Sequence, residues 1–207
     1  MLQLNQLKHT FGTTNLGYPN WEVTQGKHAV ILGNSGSGKT TLLHLIGGLM
    51  KPTSGEVSID GQNLAKLSGG QLDKFRGQNI GIVFQRPHLV RSLSVGENLA
   101  LSMMLGKSGS DKSRINELLD SLGIKDLKKR KIHQISQGQA QRVSIARAVV
   151  NSPKLLLADE PTASLDDESC SKVIDLLKDQ AKANNSTLIV ATHDQRVKSE
   201  FDNQLSL

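Results

Sequence analysis

Residues 33–40 have the composition and spacing of a phosphate-binding loop. They read Gly-Asn-Ser-Gly-Ser-Gly-Lys-Thr and satisfy the pattern G-x-x-x-x-G-K-[ST] at every position. Glycines let backbone N–H groups close around phosphate oxygens, the lysine neutralises the outer phosphates, and the threonine hydroxyl is a ligand for Mg²⁺. A short apolar run precedes the loop and a helical pattern follows it, which argues against a chance glycine-rich turn. We therefore predict nucleotide binding by Gly33, Asn34, Ser35, Gly36, Ser37, Gly38, Lys39, Thr40 and Thr41.

Two adjacent carboxylates, Asp159 and Glu160, follow the apolar run Leu155 to Ala158. Adjacent carboxylates usually belong to a solvated loop, but the preceding apolar strand and the following Pro161 argue against that interpretation. Asp159 is suited to hold a metal ion, and Glu160 is suited to polarise an attacking water. The pair predicts metal-assisted attack of water on a bound phosphate.

A second phosphate-binding helix start is predicted at residues 135–139, which read Ile-Ser-Gln-Gly-Gln and precede a helical pattern over 141–148. The start of a helix presents free N–H groups and a partial positive charge, so it suits a phosphate. One active site needs only one such cradle. Two cradles in one chain are typical of half of a two-site, head-to-tail dimer.

Strands that alternate with helices must position these residues. Four compact apolar runs predict buried strands, and helical periodicity appears after the first run and from near Asp166. The four runs are Ala29–Leu32, Ile80–Phe84, Leu155–Ala158 and Leu188–Ala191. This order predicts an α/β fold with a mostly parallel sheet. Residues 1–30 alternate polar and apolar positions, which predicts short antiparallel strands, and residues 39–49 predict a helix.

Composition limits the remaining possibilities. The chain has 207 residues and 37% hydrophobic residues, which is enough for one domain with a buried core. Its net charge is +6, but the basic residues are scattered apart from the run 125–131, and only 3% of residues are aromatic, so we expect no nucleic-acid partner. The single cysteine, Cys170, fits a reducing cytosol, and we see no signal peptide or membrane span.

With these motifs in order, the chain resembles the ATP-binding subunits of ABC transporters nearly end to end. Residues 135–139 resemble the family signature Leu-Ser-Gly-Gly-Gln, with a glutamine in place of the first glycine. The resemblance implies that the signature contacts ATP held by a partner subunit, through Ser136, Gln137, Gly138 and Gln139. It also implies a P-loop NTPase fold of ABC ATPase type in one domain, 1–207. An antiparallel β subdomain and the core would take 1–85 and 151–207, and an inserted helical subdomain about 86–150.

The resemblance assigns further roles. Gln85 is similar to the glutamine that contacts the metal and links the core to the helical subdomain, and His193 is similar to the switch histidine that contacts the γ-phosphate. Residues 164–166 resemble the segment that crosses to the other subunit, where Asp166 also suits a helix cap. Phe11 matches the aromatic residue that stacks on adenine, with Tyr18 as a weaker alternative.

A second match to the signature lies at residues 67–71, which read Leu-Ser-Gly-Gly-Gln letter for letter. The signature at residues 135–139 is followed by a helical pattern and an acidic strand. The match at residues 67–71 is followed by neither. We interpret it as a coincidence within a surface helix.

The resemblance implies an ATPase that uses ATP and Mg²⁺ and powers a membrane complex by ATP-driven dimerisation. Its partners would be an integral membrane permease subunit and a second copy of itself or a paralogous ATPase subunit. It would lie in the cytoplasm, peripheral on the cytoplasmic face of the cell membrane. Residues 41–49, 52–57 and 82–85 most resemble the lipoprotein-release, macrolide-export and cell-division branch.

Two alternatives remain at the level of sequence. A soluble ABC-type ATPase that acts on ribosomes or DNA typically has two cassettes or a coiled-coil insertion, and the sequence indicates neither. A small-molecule P-loop kinase needs an acceptor site and a lid, and it gives no reason for the segment around Ser136.

Overall fold

Ten strands and six α-helices make up the fold in a computed structural model, which describes residues 1–106, 111–163 and 165–207. The strands are β1 (Leu2–Phe11), β2 (Thr14–Gly17), β3 (Trp21–Val23), β4 (Ala29–Leu32), β5 (Ser54–Ile59), β6 (Gln62–Asn63), β7 (Ile80–Val83), β8 (Leu155–Asp159), β9 (Thr187–Thr192) and β10 (Asn203–Ser206). The helices are α1 (Lys39–Ile46), α2 (Gly69–Asn79), α3 (Val95–Gly106), α4 (Lys112–Ser121), α5 (Gln137–Val149) and α6 (Asp167–Ala183).

The strands form two sheets of different kinds. One sheet is antiparallel in the order β2-β1-β5-β6, with β3 also paired to β1. The other is parallel throughout, in the order β10-β4-β9-β8-β7. The predicted α/β fold, with a mostly parallel core sheet and an N-terminal antiparallel sheet, is confirmed.

Both faces of the central strands β4, β7, β8 and β9 are buried, which explains why these strands are largely apolar runs. Along β8, Leu155 and Leu157 face a core shared with α1 and the antiparallel sheet. Leu156 and Ala158 alternate with them and face a second core, built largely from residues of α3, α4, α5 and α6. The central strands are therefore a layer between two apolar cores, and polar residues occur at their ends and in the edge strand β10.

Parallel register brings the carboxyl ends of the central strands to one edge. Leu32 pairs with Thr192, and Asp159 pairs with Ala191 one residue earlier along β9. Val83 of β7 pairs with Ala158. The loops that leave β4, β7, β8 and β9 therefore begin at the same level, which is where ligands bind in open α/β sheets.

Two predicted elements have different lengths in the structure. The helix predicted over 39–49 ends at Ile46, because Gly47 caps it and Gly48 takes a left-handed φ of 64° that favours glycine. The short strands predicted in residues 1–30 include β1, which extends over ten residues. It is longer because it pairs with β5, which is distant in sequence, as well as with β2 and β3.

The predicted helical insertion, about 86–150, contains α3, α4 and α5. Its apolar side chains belong to the same core as one face of the parallel sheet. The division of the chain into this subdomain and a core of 1–85 and 151–207 stays a prediction. Among the described residues, no helix combines the length and the apolar character that a membrane span requires.

Gly81 of β7 lets α5 approach the sheet closely. A Cβ atom at this position would lie 2.2 Å from the carbonyl oxygen of Ala148 and 3.0 Å from Cγ of Pro153. We expect Gly81→Ala to lower the free energy of unfolding by about 1–3 kcal/mol, because the backbone of α5 must move away. Urea unfolding measures this change. The control is Gly70→Ala in α2, where the added Cβ meets open space. Its free energy of unfolding should be unchanged or higher by up to about 1 kcal/mol. Equal effects of the two substitutions would contradict the packing argument.

Candidate nucleotide-binding site

The loop between β4 and α1 has the backbone geometry of a phosphate cradle. Gly36 and Gly38 take φ values of 82° and 97°, a region that favours glycine. Tyr18 packs against the loop and supports it. Its hydroxyl donates to the carbonyl of Gly38 at 3.2 Å, and its ring is buried. Burial raises the pKa of Tyr18 to about 12. Tyr18 is therefore a support of the loop, and its ring is not available to stack on a base.

Lys39 aims its ammonium group into the loop. Its Nζ donates to the carbonyls of Gly33 at 2.9 Å and Asn34 at 3.0 Å, and it lies 3.4 Å from Oε1 of Glu160. The side chain is 6% exposed, so water contributes little to its solvation. A buried cation held by two carbonyls and one carboxylate is well placed to exchange them for phosphate oxygens.

The donors for a metal ion meet at the start of α1. The hydroxyl of Thr40 donates to both carboxylate oxygens of Asp159, at 3.1 and 3.0 Å. Burial raises the pKa of Asp159 above its ordinary value, so a nearby divalent cation would stabilise its ionised form. The described residues contain no cluster of three or more His, Cys, Asp or Glu side chains that suits a metal. Mg²⁺ bound with substrate phosphates needs only one or two protein carboxylates, so this small set fits it.

Glu160 is held in an uncommon conformation at the end of β8. Its φ of 45° lies in the left-handed region, and its backbone N–H donates to the carbonyl of Ala191 at 2.8 Å. The Thr192 hydroxyl donates to Oε2 at 3.0 Å, and Nδ1 of His193 lies 2.9 Å from the same oxygen. Burial raises the pKa of Glu160, but these hydrogen bonds and the nearby His193 and Lys39 bring it below its ordinary value. The carboxylate is therefore ionised and aimed at the loop. Strain of this kind is concentrated at functional sites.

Lys39, Thr40, Glu160 and His193 line one cavity of about 580 Å³ at the carboxyl edge of the parallel sheet. The predicted residues Gly33, Asn34, Ser37 and Asp159 are not part of its lining. Of the predicted site residues, the cavity brings together Phe11, Ser35, Gly36, Gly38, Lys39, Thr40, Thr41, Gln85, Glu160 and His193. Thr14 and Leu16 also line the cavity; they lie in strand β2, which follows Phe11, and no sequence motif marks them. The ring of Phe11 is 50% exposed at the cavity wall, so one of its faces is accessible to a planar ligand.

The predicted signature residues lie outside the lining of this cavity. Ser136 caps α5: its hydroxyl accepts from the N–H of Gln139 at 3.2 Å, and Oε1 of Gln139 accepts from its N–H at 2.9 Å. Ser136, Gln137 and Gly138 are exposed, and a Cβ at Gly138 would meet open space. Asp166 caps α6 by accepting from the N–H of Ser169 at 2.9 Å, and it is also outside the lining. The neighbouring Ser164 lies outside the described residues.

The second match to the signature forms a similar cap without catalytic neighbours. Ser68 caps α2, and its N–H donates to Gln71 Oε1 at 2.9 Å. The helix has no buried residue along its length and does not contribute to the cavity beside the phosphate-binding loop. The predicted surface helix is present at this position.

Comparison with known proteins agrees with this geometry. The ABC transporter family matches residues 16–163. The lipoprotein-releasing system ATP-binding protein LolD of Legionella pneumophila strain Lens is 41% identical over 187 residues, which cover 89% of this chain and 82% of that protein. The LolD protein of strain Paris is 41% identical over 189 residues, with the same shares.

Solved structures agree as well. The dimeric structure of MJ0796, a bacterial ABC transporter cassette, is similar with a TM-score of 0.89 and 35% identity, over 100% of this chain and 94% of that chain. A post-hydrolysis state of MJ0796 bound to ADP and Pi gives a TM-score of 0.89 at 34% identity, with the same shares. The cbiO1 protein of Clostridium perfringens, part of the cbiONQ transporter complex, gives 0.87 at 34% identity over 99% of this chain and 83% of that chain. This chain belongs to the ABC transporter family, as an ATP-binding and ATP-hydrolysing subunit.

Proposed function

We propose that this chain is the ATPase of a membrane complex of the lipoprotein-releasing type, and that it works on the cytoplasmic face of the membrane with an integral membrane subunit. The similarity to two LolD proteins at 41% identity supports this choice within the family. The similarity of the fold to a cassette solved as a dimer supports assembly from two ATPase subunits, either two copies of this chain or this chain and a paralogue.

One observation carries the dimeric mechanism: the chain presents two half-sites on separate surfaces. The cavity beside Lys39 is lined by residues of the phosphate loop and by Glu160, and the exposed start of α5 at Ser136 and Gly138 lies outside it. An exposed helix start with free space beside a glycine suits a phosphate brought by another molecule. Two chains packed head to tail would complete both sites at once, with ATP between the cavity of one and the signature of the other.

Within each site we assign a role to each group. Thr40 and Asp159 would hold Mg²⁺ together with Gln85, and the ion would neutralise charge on the phosphate oxygens. Glu160 would accept a proton from the attacking water, because its carboxylate is ionised and faces the cavity. His193 lines the same cavity beside Glu160 and would contact the γ-phosphate. The exposed ring of Phe11 would stack on adenine.

A second surface suits the membrane subunit. A groove of about 600 Å³ runs between α2, β7, α3 and α5, and its wall includes Phe84 next to the proposed metal contact Gln85. Two large apolar side chains of its wall are exposed, Leu105 at 73% and Leu49 at 40%. An exposed apolar patch of this kind is typical of a protein–protein contact. Its position would couple the partner's movement to the nucleotide site through the β7–Gln85 segment.

The two serine caps allow a matched test of the signature. We expect Ser136→Ala to lower ATP turnover about 10- to 100-fold, because it removes a hydrogen bond to a charged phosphate. Ser68→Ala should leave turnover unchanged. Ser136→Ala also removes a hydroxyl that accepts the N–H of Gln139 and should cost ~1 kcal/mol in urea unfolding, whereas Ser68→Ala should cost less. Steady-state hydrolysis by the two variants distinguishes the roles, and loss of turnover in Ser68→Ala alone would reverse the assignment.

The membrane partner is tested with a variant that binds ATP without hydrolysing it. We expect tagged Glu160→Gln, isolated from its native cells in ATP, to retain an integral membrane protein with few spans and a large periplasmic domain. The reason is that the ATP-bound form would persist long enough to be purified. Mass spectrometry of the complex is the measurement. Glu200→Gln, which changes the same charge at an exposed ion pair, is the control and should retain less of that protein. Recovery with ribosomes or DNA would contradict the proposal and would give the basic run 125–131 a nucleic-acid role.

A further inference from the structure

Arg196 lies three residues after His193, in a 3₁₀ segment over Gln195–Glu200, and it is bound to Asp194 by a fork of two hydrogen bonds. Its Nε donates to Oδ1 of Asp194 at 2.8 Å, and its Nη2 donates to Oδ2 at 2.7 Å. The guanidinium holds the pKa of Asp194 well below its usual range. A two-point contact of this kind fixes orientation as well as charge, so the plane of Arg196 is set by the residue that follows the switch histidine.

The same guanidinium also contacts the segment at the start of α6. Nη2 also donates to the carbonyl of Leu165 at 3.2 Å, and Nη1 contacts the carboxylate of Asp167. Leu165 and Asp167 flank Asp166, which caps α6. One side chain therefore joins the histidine segment to residues 165–167.

Asp194, the other partner of Arg196, is connected by hydrogen bonds to Glu160, the proposed catalytic base. The N–H of Asp194 donates to the Thr192 hydroxyl at 3.0 Å, and that hydroxyl donates to Glu160 at 3.0 Å. Asp194 also accepts from the Thr162 hydroxyl at 3.1 Å, just after the carboxylate strand. A chain of hydrogen bonds therefore runs from residues 165–167 through Arg196, Asp194 and Thr192 to Glu160.

We infer that Arg196 is a positioning residue that transmits contact with the second subunit, made at residues 165–167, to Glu160 and His193. The inference rests on the proposed head-to-tail dimer, in which the segment around Asp166 meets the partner. Contact made by the partner at residues 165–167 would then alter the hydrogen bonds that orient Glu160. Arg196 itself does not line the nucleotide cavity, so it acts through other residues.

The ion pair between Arg196 and Asp167 is exposed to solvent. The side chain of Arg196 is 41% exposed and that of Asp167 is 90% exposed. Exposed ion pairs contribute little to the free energy of unfolding. Asp194 is only 13% exposed, so Arg196→Gln also costs stability, whereas Asp167→Asn breaks the exposed end alone and should leave the fold intact while altering the coupling between subunits. Lysine has one flexible ammonium group and lacks the planar fork, so it cannot reproduce both sides of the contact.

The test compares Arg196→Gln and Arg196→Lys with Lys198→Gln, an exposed control in the same 3₁₀ segment. Each is made in the wild-type chain, for steady-state ATP hydrolysis, and in Glu160→Gln, for dimer formation by analytical ultracentrifugation in ATP. We expect both Arg196 variants to lower kcat and to weaken the ATP-dependent dimer by about tenfold or more. Binding of a fluorescent ATP analogue at low protein concentration, where the chain is monomeric, should change less than about twofold.

A second variant tests the same link even if Arg196→Gln fails to fold. Asp167→Asn removes the charge on the α6 side and leaves the fork on Asp194 in place. It should lower kcat in the same direction, and adding it to Arg196→Gln should cause no further loss, because both act on one link.

The outcomes distinguish this inference from the proposal on which it rests. If Glu160→Gln alone failed to dimerise in ATP, the dimeric mechanism and this inference would both be wrong. If it dimerised but Arg196→Gln behaved like Lys198→Gln, only the role of Arg196 would be overturned. Full activity of Arg196→Lys would likewise overturn it, since charge alone would then suffice.

Discussion

The parallel register of four central strands is the constraint on which the rest of this structure depends. Because β4, β7, β8 and β9 run in one direction and end at one level, the loops that leave them meet at one edge. Lys39, Gln85, Glu160 and His193 come from four different connections, yet all of them line one cavity there. Burial on both faces of the sheet keeps this register, since a shift along one strand would break its backbone pairing and misalign its apolar residues on both cores.

At that edge, charge is organised around Glu160. Lys39, Thr192 and His193 all contact its carboxylate, and its backbone is held in a left-handed conformation by pairing with β9. The carboxylate therefore connects the phosphate loop to the strand that precedes His193. The exposed start of α5 at Ser136 has no counterpart of this network. The cavity therefore has a catalytic base but only one phosphate cradle of its own. This gives a chain of this family a physical reason to work in pairs.

Local sequence patterns were sufficient to predict the phosphate loop and the acidic strand end, because each is set by neighbouring residues. The parallel sheet was predictable because strands that alternate with helices are typical of parallel pairing. Elements that depend on distant pairing were harder to predict: β1 is long because β5 supports it, and no local pattern indicates that. The end of α1 was signalled by Gly47 and Gly48, and the longer prediction gave the apolar spacing more weight than these glycines. Thr192 and Arg196 were missed because their roles arise from contacts between loops that are far apart in sequence.

If each ATP lies between the cavity of one subunit and the signature of another, mixing two inactive variants of this chain should restore ATP hydrolysis. Lys39→Ala removes the lysine of the phosphate loop, and Ser136→Ala removes the signature hydroxyl. A mixed dimer of the two variants contains one site with both intact groups and one site with neither. A head-to-tail dimer predicts that two preparations, each nearly inactive alone, hydrolyse ATP clearly faster when mixed than the sum of their separate rates. If mixing gave only the sum of the two residual activities, both groups would have to act within one chain, and the head-to-tail account would be contradicted.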